Sequence, residues 1–134
     1  KNPFLQNLSS YYSKEKFDLE FLNQLSKEFL GEQDFESFAK VKSEVNNFIC
    51  TIIKAEWYYH DDLLVFEITA NRFLRGMVRA IVGTMIDITN SKIEANALPS
   101  ILKGRNRNLA GQAAKPDGLY LAKIEYPKEL FLKG

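Results

Sequence analysis

The sequence predicts an α+β fold, a mostly antiparallel β-sheet with helices packed on one face. Three observations support this prediction. Hydrophobic residues make up 46% of the 134 residues, which is enough to build the core of a single domain. Two runs rich in β-branched and aromatic residues flank Asp61-Asp62, a pattern typical of a β-hairpin. The elements follow the order helix, hairpin, two helices, strand.

The first third of the chain predicts an extended segment and a helix. Residues 1–13 are aromatic and turn-like, and we expect them to be extended. Asp18 is a good N-cap for a helix that runs to about Leu30, and Gly31 is its predicted stop. Segment 32–38 is predicted to be a loop or short helix that its two phenylalanines anchor.

The middle of the chain predicts the hairpin and the longest helix. The hairpin strands are expected at Cys50–Tyr59 and Leu63–Ala70. Apolar residues then recur at helical spacing, which predicts a helix over about Phe73 to Ile88.

The last third predicts a helix, a loop and a strand. A shorter helix is expected over about Ile93 to Lys103, with Pro99 early in it or at a kink. Residues 104–118 form a basic, glycine-containing loop with room for a helical turn. The pattern from Leu119 to Tyr126 alternates well enough for a final strand.

The predicted long helix carries arginines as well as a core-facing side. Arg72, Arg75 and Arg79 recur at i, i+3 and i+7, so on one helix they would lie within an arc of roughly 60°. Gly76 and Gly83 would lie beside that arc. Glycine within a helix costs roughly 0.5–1 kcal/mol relative to alanine, which indicates a close approach to the backbone by a packed strand or a phosphate.

The charge distribution is asymmetric although the net charge is only +1. Residues 1–71 hold 7 basic and 12 acidic side chains, whereas residues 72–115 hold 8 basic and 2 acidic ones. All the arginines lie between Arg72 and Arg107. Arginine is the planar, bidentate partner of phosphate, so a nucleic-acid partner on one face is one interpretation, and an ordinary solvated surface is the other.

Several classes of function have no support in the sequence. His60 is the one histidine and Cys50 the one cysteine, so we expect no His-rich metal site, no thiolate metal cluster and no internal disulfide. Apolar runs fall short of the roughly 20 residues that a membrane span needs, and no secretion leader is visible, so we expect a cytoplasmic protein without membrane contact. The chain starts at Lys1 without a methionine, which suggests a piece of something longer.

Three segments resemble motifs of one known protein family. Segment 30–38, LGEQDFESF, resembles its LGExDFxSF segment. Segment 70–84, ANRFLRGMVRAIVGT, resembles its ANxFLxxMVRxIVGT helix. Segment 118–127, GLYLAKIEYP, resembles its GLYLxxVxYP strand. The motifs occur in the family's order with similar spacing, and they span nearly the whole chain. The family that the chain resembles is tRNA pseudouridine synthase A.

The resemblance implies that residues 1–134 are one domain, the C-terminal half of such an enzyme, with the pseudouridine synthase-like C-terminal fold. Family members are about twice this length, and their catalytic aspartate lies in an RTDxGVHA-like motif that these residues do not contain. The complete enzyme is implied to be a homodimer that isomerises uridines 38–40 of the tRNA anticodon stem-loop and needs no cofactor.

The resemblance also assigns roles to single residues. Arg79 matches the arginine that pairs with the catalytic aspartate, and Leu119 matches a leucine that lines the uracil pocket. Cys50 and Ala113 depart from the family pattern, where arginine and threonine are common. Charge and motif together give these candidates for RNA contact: Asn71, Arg72, Arg75, Arg105 and Arg107.

Two hypotheses follow. In the first, the chain is half of an enzyme that flips a uridine out of the RNA stack, while an arginine keeps the catalytic carboxylate ionised and oriented. In the second, the chain is a non-catalytic RNA-binding or structural domain derived from the same fold.

Overall fold

The structure, a computed structural model, describes residues 5–12, 17–41, 45–111 and 119–120, the last two as backbone only. Its elements in chain order are β1 (Gln6–Tyr12), α1 (Leu19–Ser26), β2 (Gly31–Asp34), β3 (Ile49–His60), β4 (Leu63–Ala70), α2 (Met77–Thr89), α3 (Leu98–Gly104) and β5 (Leu119–Tyr120). The predicted α+β class is confirmed.

The strands form one sheet in the order β2-β3-β4-β1-β5, and every neighbouring pair is antiparallel. The predicted hairpin is confirmed, with Trp57 opposite Phe66 and their ring centroids 4.8 Å apart. Asp61 adopts the left-handed conformation that the tight turn requires, with φ 55°. The pairing of β3 with β4 shifts its register between Ile52 and Lys54, as a β-bulge does.

The helices cover one face of the sheet. Leu64, Phe66 and Ile68 point to this face from β4, and all three are fully buried. Helix α1 lies against β3 and α2, so the core sits between the helices and this side of the sheet.

The opposite face carries a polar network. Glu67 accepts a hydrogen bond from Asn7 Nδ2 at 3.0 Å and one from the Tyr58 hydroxyl at 3.3 Å. Lys54 Nζ lies 3.4 Å from Glu67 Oε1. The pKa of Tyr58 is raised, mainly by burial and secondly by the negative charge of Glu67.

Helix α1 begins as the sequence predicts. The Asp18 carboxylate accepts a hydrogen bond from Phe21 N at 3.2 Å, which confirms the N-cap. The α-helix ends at Ser26 and continues as a 3-10 turn over Lys27–Phe29. Gly31 then takes a φ of 94°, which no helix can continue.

The prediction for segment 32–38 is wrong in its first half. Gly31–Asp34 forms β2, although glycine, glutamate, glutamine and aspartate are poor strand formers. Pairing with Ile49–Ile52 of β3 decides the conformation, and no local signal announces it. The second half is a 3-10 turn, Glu36–Phe38, and both phenylalanines of the segment are fully buried, as predicted.

The predicted start of the arginine helix is also wrong. Helix α2 begins at Met77, and Gly76 before it has a φ of 73°, so residues from Phe73 to Gly76 are not helical. Arg72 and Arg75 therefore do not share a helix side with Arg79, which alone lies on α2. Contacts from distant parts of the chain hold the segment out of the helix: Lys40 N, for example, donates to Arg75 O at 2.9 Å.

The C-terminal elements are shorter than predicted. Helix α3 begins at Leu98 with Pro99 in its first turn, after a separate 3-10 turn at Ala95–Ala97. The helical turn expected in the basic loop is present at Arg107–Leu109. Strand β5 pairs with β1, while the rest of the strand predicted to end at Tyr126 lies outside the described residues.

Candidate functional site

A cavity of about 450 Å³ lies between β1 and the segment that leads into α2. We call it the arginine cavity. Its lining residues are Gln6, Leu8, Ser9, Ser10, Lys40 and residues 73–79. Among these described residues there are three cations and no carboxylate, so the cavity favours an anionic ligand.

Arg79 is the third residue of α2 and lines the arginine cavity. Its side chain is partly exposed, whereas its neighbours Val78 and Ala80 are buried. The apolar residues of α2 thus face the core, while Arg79 belongs to the lining of the arginine cavity.

The helix start contributes to the same cavity. Gly76 is the residue before α2, its left-handed φ of 73° is a conformation that glycine adopts without strain, and no side chain caps this end. The first turn of α2 holds no acidic residue. The partial positive charge at this helix end therefore adds to the charges of Arg75 and Arg79.

Arg79 lines the arginine cavity together with residues of β1, and β1 pairs with β5, the strand that contains Leu119. Burial raises the pKa of Tyr12, and the charge of Arg79 opposes this rise, so the two groups interact electrostatically. The backbone of Leu119 pairs with Tyr12 in the β1–β5 register. The structure thus brings the Leu119 backbone to the strand that forms one wall of the arginine cavity.

Asn71 and Arg72 hold the end of the hairpin together. Asn71 exchanges hydrogen bonds with the backbone of Thr51, accepting at Oδ1 (2.8 Å) and donating through its own N–H (3.1 Å). Arg72 Nη1 reaches Asn47 Oδ1 at 3.0 Å and the Ile49 carbonyl at 2.9 Å. Both side chains therefore fix the segment that precedes the arginine cavity.

Arg105 and Arg107 line a second cavity of about 490 Å³. The other lining residues are Glu36, Ala39, Lys40, Val41, Phe48, Asn106 and Asn108. Arg105 is exposed, with Nη1 3.8 Å from Asp34 Oδ2, and Arg107 Nη1 donates to the Gly111 carbonyl at 2.8 Å. Of the arginines predicted to contact RNA, Arg75 thus lines the arginine cavity, and Arg105 and Arg107 line the second cavity. Arg72 instead holds the hairpin end.

Two buried hydroxyls tether the basic loop to the core. Ser37 Oγ donates to the Ile101 carbonyl at 2.7 Å and accepts from Asn106 N at 2.8 Å. Thr84 Oγ1 accepts from Gly111 N at 2.9 Å. Each tether joins a residue of a family-like motif to the loop that carries Arg105 and Arg107.

Gly111 packs closely against α2, because it has no side chain to keep the two backbones apart. A Cβ there would lie 3.0 Å from Thr84 Cα and 2.5 Å from Asp87 Oδ2, which is closer than packed atoms tolerate. The end of the basic loop is therefore fitted directly onto α2.

Sequence reasoning missed Lys40 and Phe73. Lys40 lines both cavities, and the partly buried Phe73 lines the arginine cavity. The only sequence signal for Lys40 was its place just after the phenylalanine segment of the LGExDFxSF-like motif. Phe73 was interpreted as part of a helix, which concealed its position at the cavity.

Cys50 belongs to the core. Its side chain is fully buried beside Met77, with the two sulfur atoms 3.9 Å apart, and burial raises the pKa of the thiol to about 11. No cluster of three or more metal-ligating side chains occurs among the described residues, nor does any helix there have the length and hydropathy needed to cross a membrane.

Comparison with known proteins assigns the family. A family model described as tRNA pseudouridine synthase matches residues 25–127, so the chain belongs to the tRNA pseudouridine synthase family. The resemblance found in the three motifs is confirmed.

Several curated relatives bear the name tRNA pseudouridine synthase A. The protein of Bacteroides fragilis is 39% identical over 115 residues, which cover 85% of this chain and 46% of the relative. That of Azobacteroides pseudotrichonymphae is 37% identical over 98% of this chain and 52% of the relative. That of Porphyromonas gingivalis is 37% identical over 98% and 53%. The chain spans about half the length of the curated relatives it matches.

Proposed function

We propose that this chain is the C-terminal half of an enzyme that isomerises uridine to pseudouridine in tRNA. The observation that carries the proposal is the position of Arg79, which lies in the first turn of α2 and lines a cationic cavity. In this proposal the chain supplies the arginine partner of a catalytic aspartate, part of the uracil pocket and part of the RNA-binding surface. The aspartate belongs to the other half of the protein.

The reaction explains why an arginine is needed at such a place. The N1–C1′ glycosidic bond breaks, the uracil turns, and a C5–C1′ bond forms. The C5 proton then leaves to solvent and N1 takes up a proton, so the product is an isomer of uridine. A carboxylate near C1′ has to be ionised and precisely oriented for this chemistry. A guanidinium at salt-bridge distance lowers the pKa of the carboxyl group and fixes its position by a bidentate contact.

The cavity suits a base that has been taken out of the RNA stack. Leu8 and Phe73 give it apolar walls, and Gln6 gives it a polar group that suits the edge of a uracil. We assign Leu119 to the same pocket on the strength of its motif, and its pairing with Tyr12 supports this assignment.

The basic residues are assigned to the RNA backbone. Arg75, Arg105 and Arg107 line the two cavities, so we assign them phosphate contacts. We assign Asn71 and Arg72 a smaller part in phosphate binding, because their side chains already hold the hairpin end. We further propose that the complete protein is a cytoplasmic homodimer and that its target is the anticodon stem-loop, uridines 38–40.

The proposal is tested by measuring tritium release from 5-tritiated uridine in an unmodified tRNA transcript. We expect turnover by the whole product of the gene and none by residues 1–134 alone, because the aspartate motif is missing from these residues. Size-exclusion chromatography with light scattering tests the dimer. Turnover by the isolated chain would overturn the division of labour between the halves, and an inactive whole product would favour the non-catalytic RNA-binding domain.

A further inference from the structure

We propose that Lys40 binds the phosphate that joins two nucleotides seated in the arginine cavity and the second cavity. The inference rests on the proposed function, because it takes RNA as the partner. It adds a second nucleotide subsite and a binding residue that neither the motifs nor the arginine pattern indicated.

Lys40 is common to the linings of the two cavities. It shares the arginine cavity with Arg75 and Arg79, and it shares the second cavity with Arg105 and Arg107. A third cavity of about 470 Å³ again contains Lys40, together with Arg107. The cavities therefore adjoin one another at Lys40, and an RNA strand that passes from one to the next has to pass this side chain.

The two cavities share one combination of side chains. Each contains a partly buried phenylalanine, Phe73 in the arginine cavity and Phe48 in the second cavity. Each also contains two arginines. An aromatic ring beside cations is the combination that single-stranded RNA needs, since bases stack on the ring and phosphates contact the cations. A small inorganic anion would use the cations and leave the rings without a ligand.

The backbone at Lys40 is fixed while the side chain is exposed. Lys40 N donates to the Arg75 carbonyl at 2.9 Å, and Lys40 Cβ lies 3.6 Å from the position that a Cβ on Gly76 would occupy. The preceding residues Phe38 and Ala39 are buried. Lysine carries an ammonium group with three hydrogen-bond donors, which suits a phosphate between two sites.

Carboxylates near the second cavity make the positive charge of Lys40 more important where the two cavities meet. Arg105 lies 3.8 Å from Asp34, and Glu36 lines the second cavity. These carboxylates offset part of the positive charge on the second cavity. The arginine cavity has no acidic residue among its described lining residues, so Lys40 extends its positive potential toward Arg107.

The test compares Lys40→Gln with Lys92→Gln in the 134-residue chain. Both variants remove one positive charge from an exposed lysine, but Lys92 follows the far end of α2, which is about 20 Å long. Binding of a tRNA transcript is measured by fluorescence anisotropy over a range of salt concentrations. One phosphate contact to a single strand contributes about 0.7 to the slope of log affinity against log salt, which is about five-fold in affinity at 0.1 M salt.

We expect Lys40→Gln to lose this slope and this affinity, Lys40→Arg to keep most of both, and Lys92→Gln to match the wild type. Equal behaviour of Lys40→Gln and Lys92→Gln would overturn the inference and leave the proposed function standing. A wild-type chain that shows no salt-dependent tRNA binding would refute both.

A measurement on the unmodified sequence covers the case of a poorly folded variant. Lysines are acylated with and without tRNA, and the modified sites are identified by mass spectrometry. We expect tRNA to protect Lys40 at least three-fold more than Lys92. Equal protection of the two lysines would contradict the inference.

Discussion

Ser37→Ala should loosen the arginine-bearing loop and destabilise the domain. The Ser37 side chain is fully buried between the 3-10 turn Glu36–Phe38 and α3. Its hydroxyl donates to the Ile101 carbonyl at 2.7 Å and accepts from Asn106 N at 2.8 Å. Alanine removes both hydrogen bonds and leaves two backbone groups without this partner.

The expected cost follows from the two hydrogen bonds. Each contributes roughly 0.5–1.5 kcal/mol net, so we expect a loss of about 2 kcal/mol in the free energy of unfolding. For a domain of 134 residues this corresponds to a fall of about 7 °C in Tm. Because Asn106 lies between Arg105 and Arg107, we also expect weaker tRNA binding and a smaller salt slope at temperatures where the variant is folded.

Urea denaturation measures the stability, and Ser100→Ala is the matched control. Ser100 is exposed on the same helix α3, and its replacement should change the free energy of unfolding by less than about 0.5 kcal/mol. If Ser37→Ala is no less stable than Ser100→Ala, the tether does not hold the loop and our account of the second cavity is wrong.

Three further substitutions test the packing described above. Gly111→Ala should cost about 1–3 kcal/mol in urea denaturation, because the new methyl group meets the α2 backbone at Thr84. Cys50→Ala should remove a pH dependence. Burial raises the pKa of the folded thiol to about 11 from an ordinary 9.0, so the folded state keeps a proton that the unfolded state loses. Between pH 7.5 and pH 10 the wild type should therefore lose roughly 1 kcal/mol more stability than Cys50→Ala. Arg72→Met should cost about 1–2 kcal/mol, because its hydrogen bonds hold the hairpin end.

Each of these has a matched comparison. Gly104→Ala should be neutral or stabilising although the new methyl group would also contact a side chain, because that neighbour is the exposed Leu109, which can move. If the stabilities of wild type and Cys50→Ala change in parallel from pH 7.5 to pH 10, the folded thiol does not keep its proton as described. Arg75 is exposed, and we expect its side chain to contribute less to stability than that of Arg72. If Arg72→Met is as stable as Arg75→Met, Arg72 does not hold the hairpin end as described.

Local patterns predicted the elements whose causes are local. The hairpin followed from β-branched and aromatic runs around Asp61-Asp62, and the Asp18 cap followed from the residue type that accepts a backbone N–H. The burial of the phenylalanines beside Ser37 was also predictable, since large aromatic residues in a polar segment need a core.

Distant contacts decided the rest. Strand β2 exists because β3 pairs with it, and α2 starts late because Gly76 turns left-handed while Lys40 holds the Arg75 carbonyl. Helical spacing therefore grouped Arg72 and Arg75 wrongly with Arg79. The roles of Arg79 and Leu119 remain predictions based on the motifs. The position of Lys40 between the cavities could be recognised only in the structure.

The most direct test of the central claim is the rate of tritium release by Arg79→Met in the whole product of the gene. If Arg79 holds the catalytic carboxylate, the single-turnover rate should fall by at least about 100-fold, while the Kd for tRNA changes far less. Lys92→Met should retain the wild-type rate. An Arg79→Met enzyme that releases tritium as fast as Lys92→Met would contradict the account.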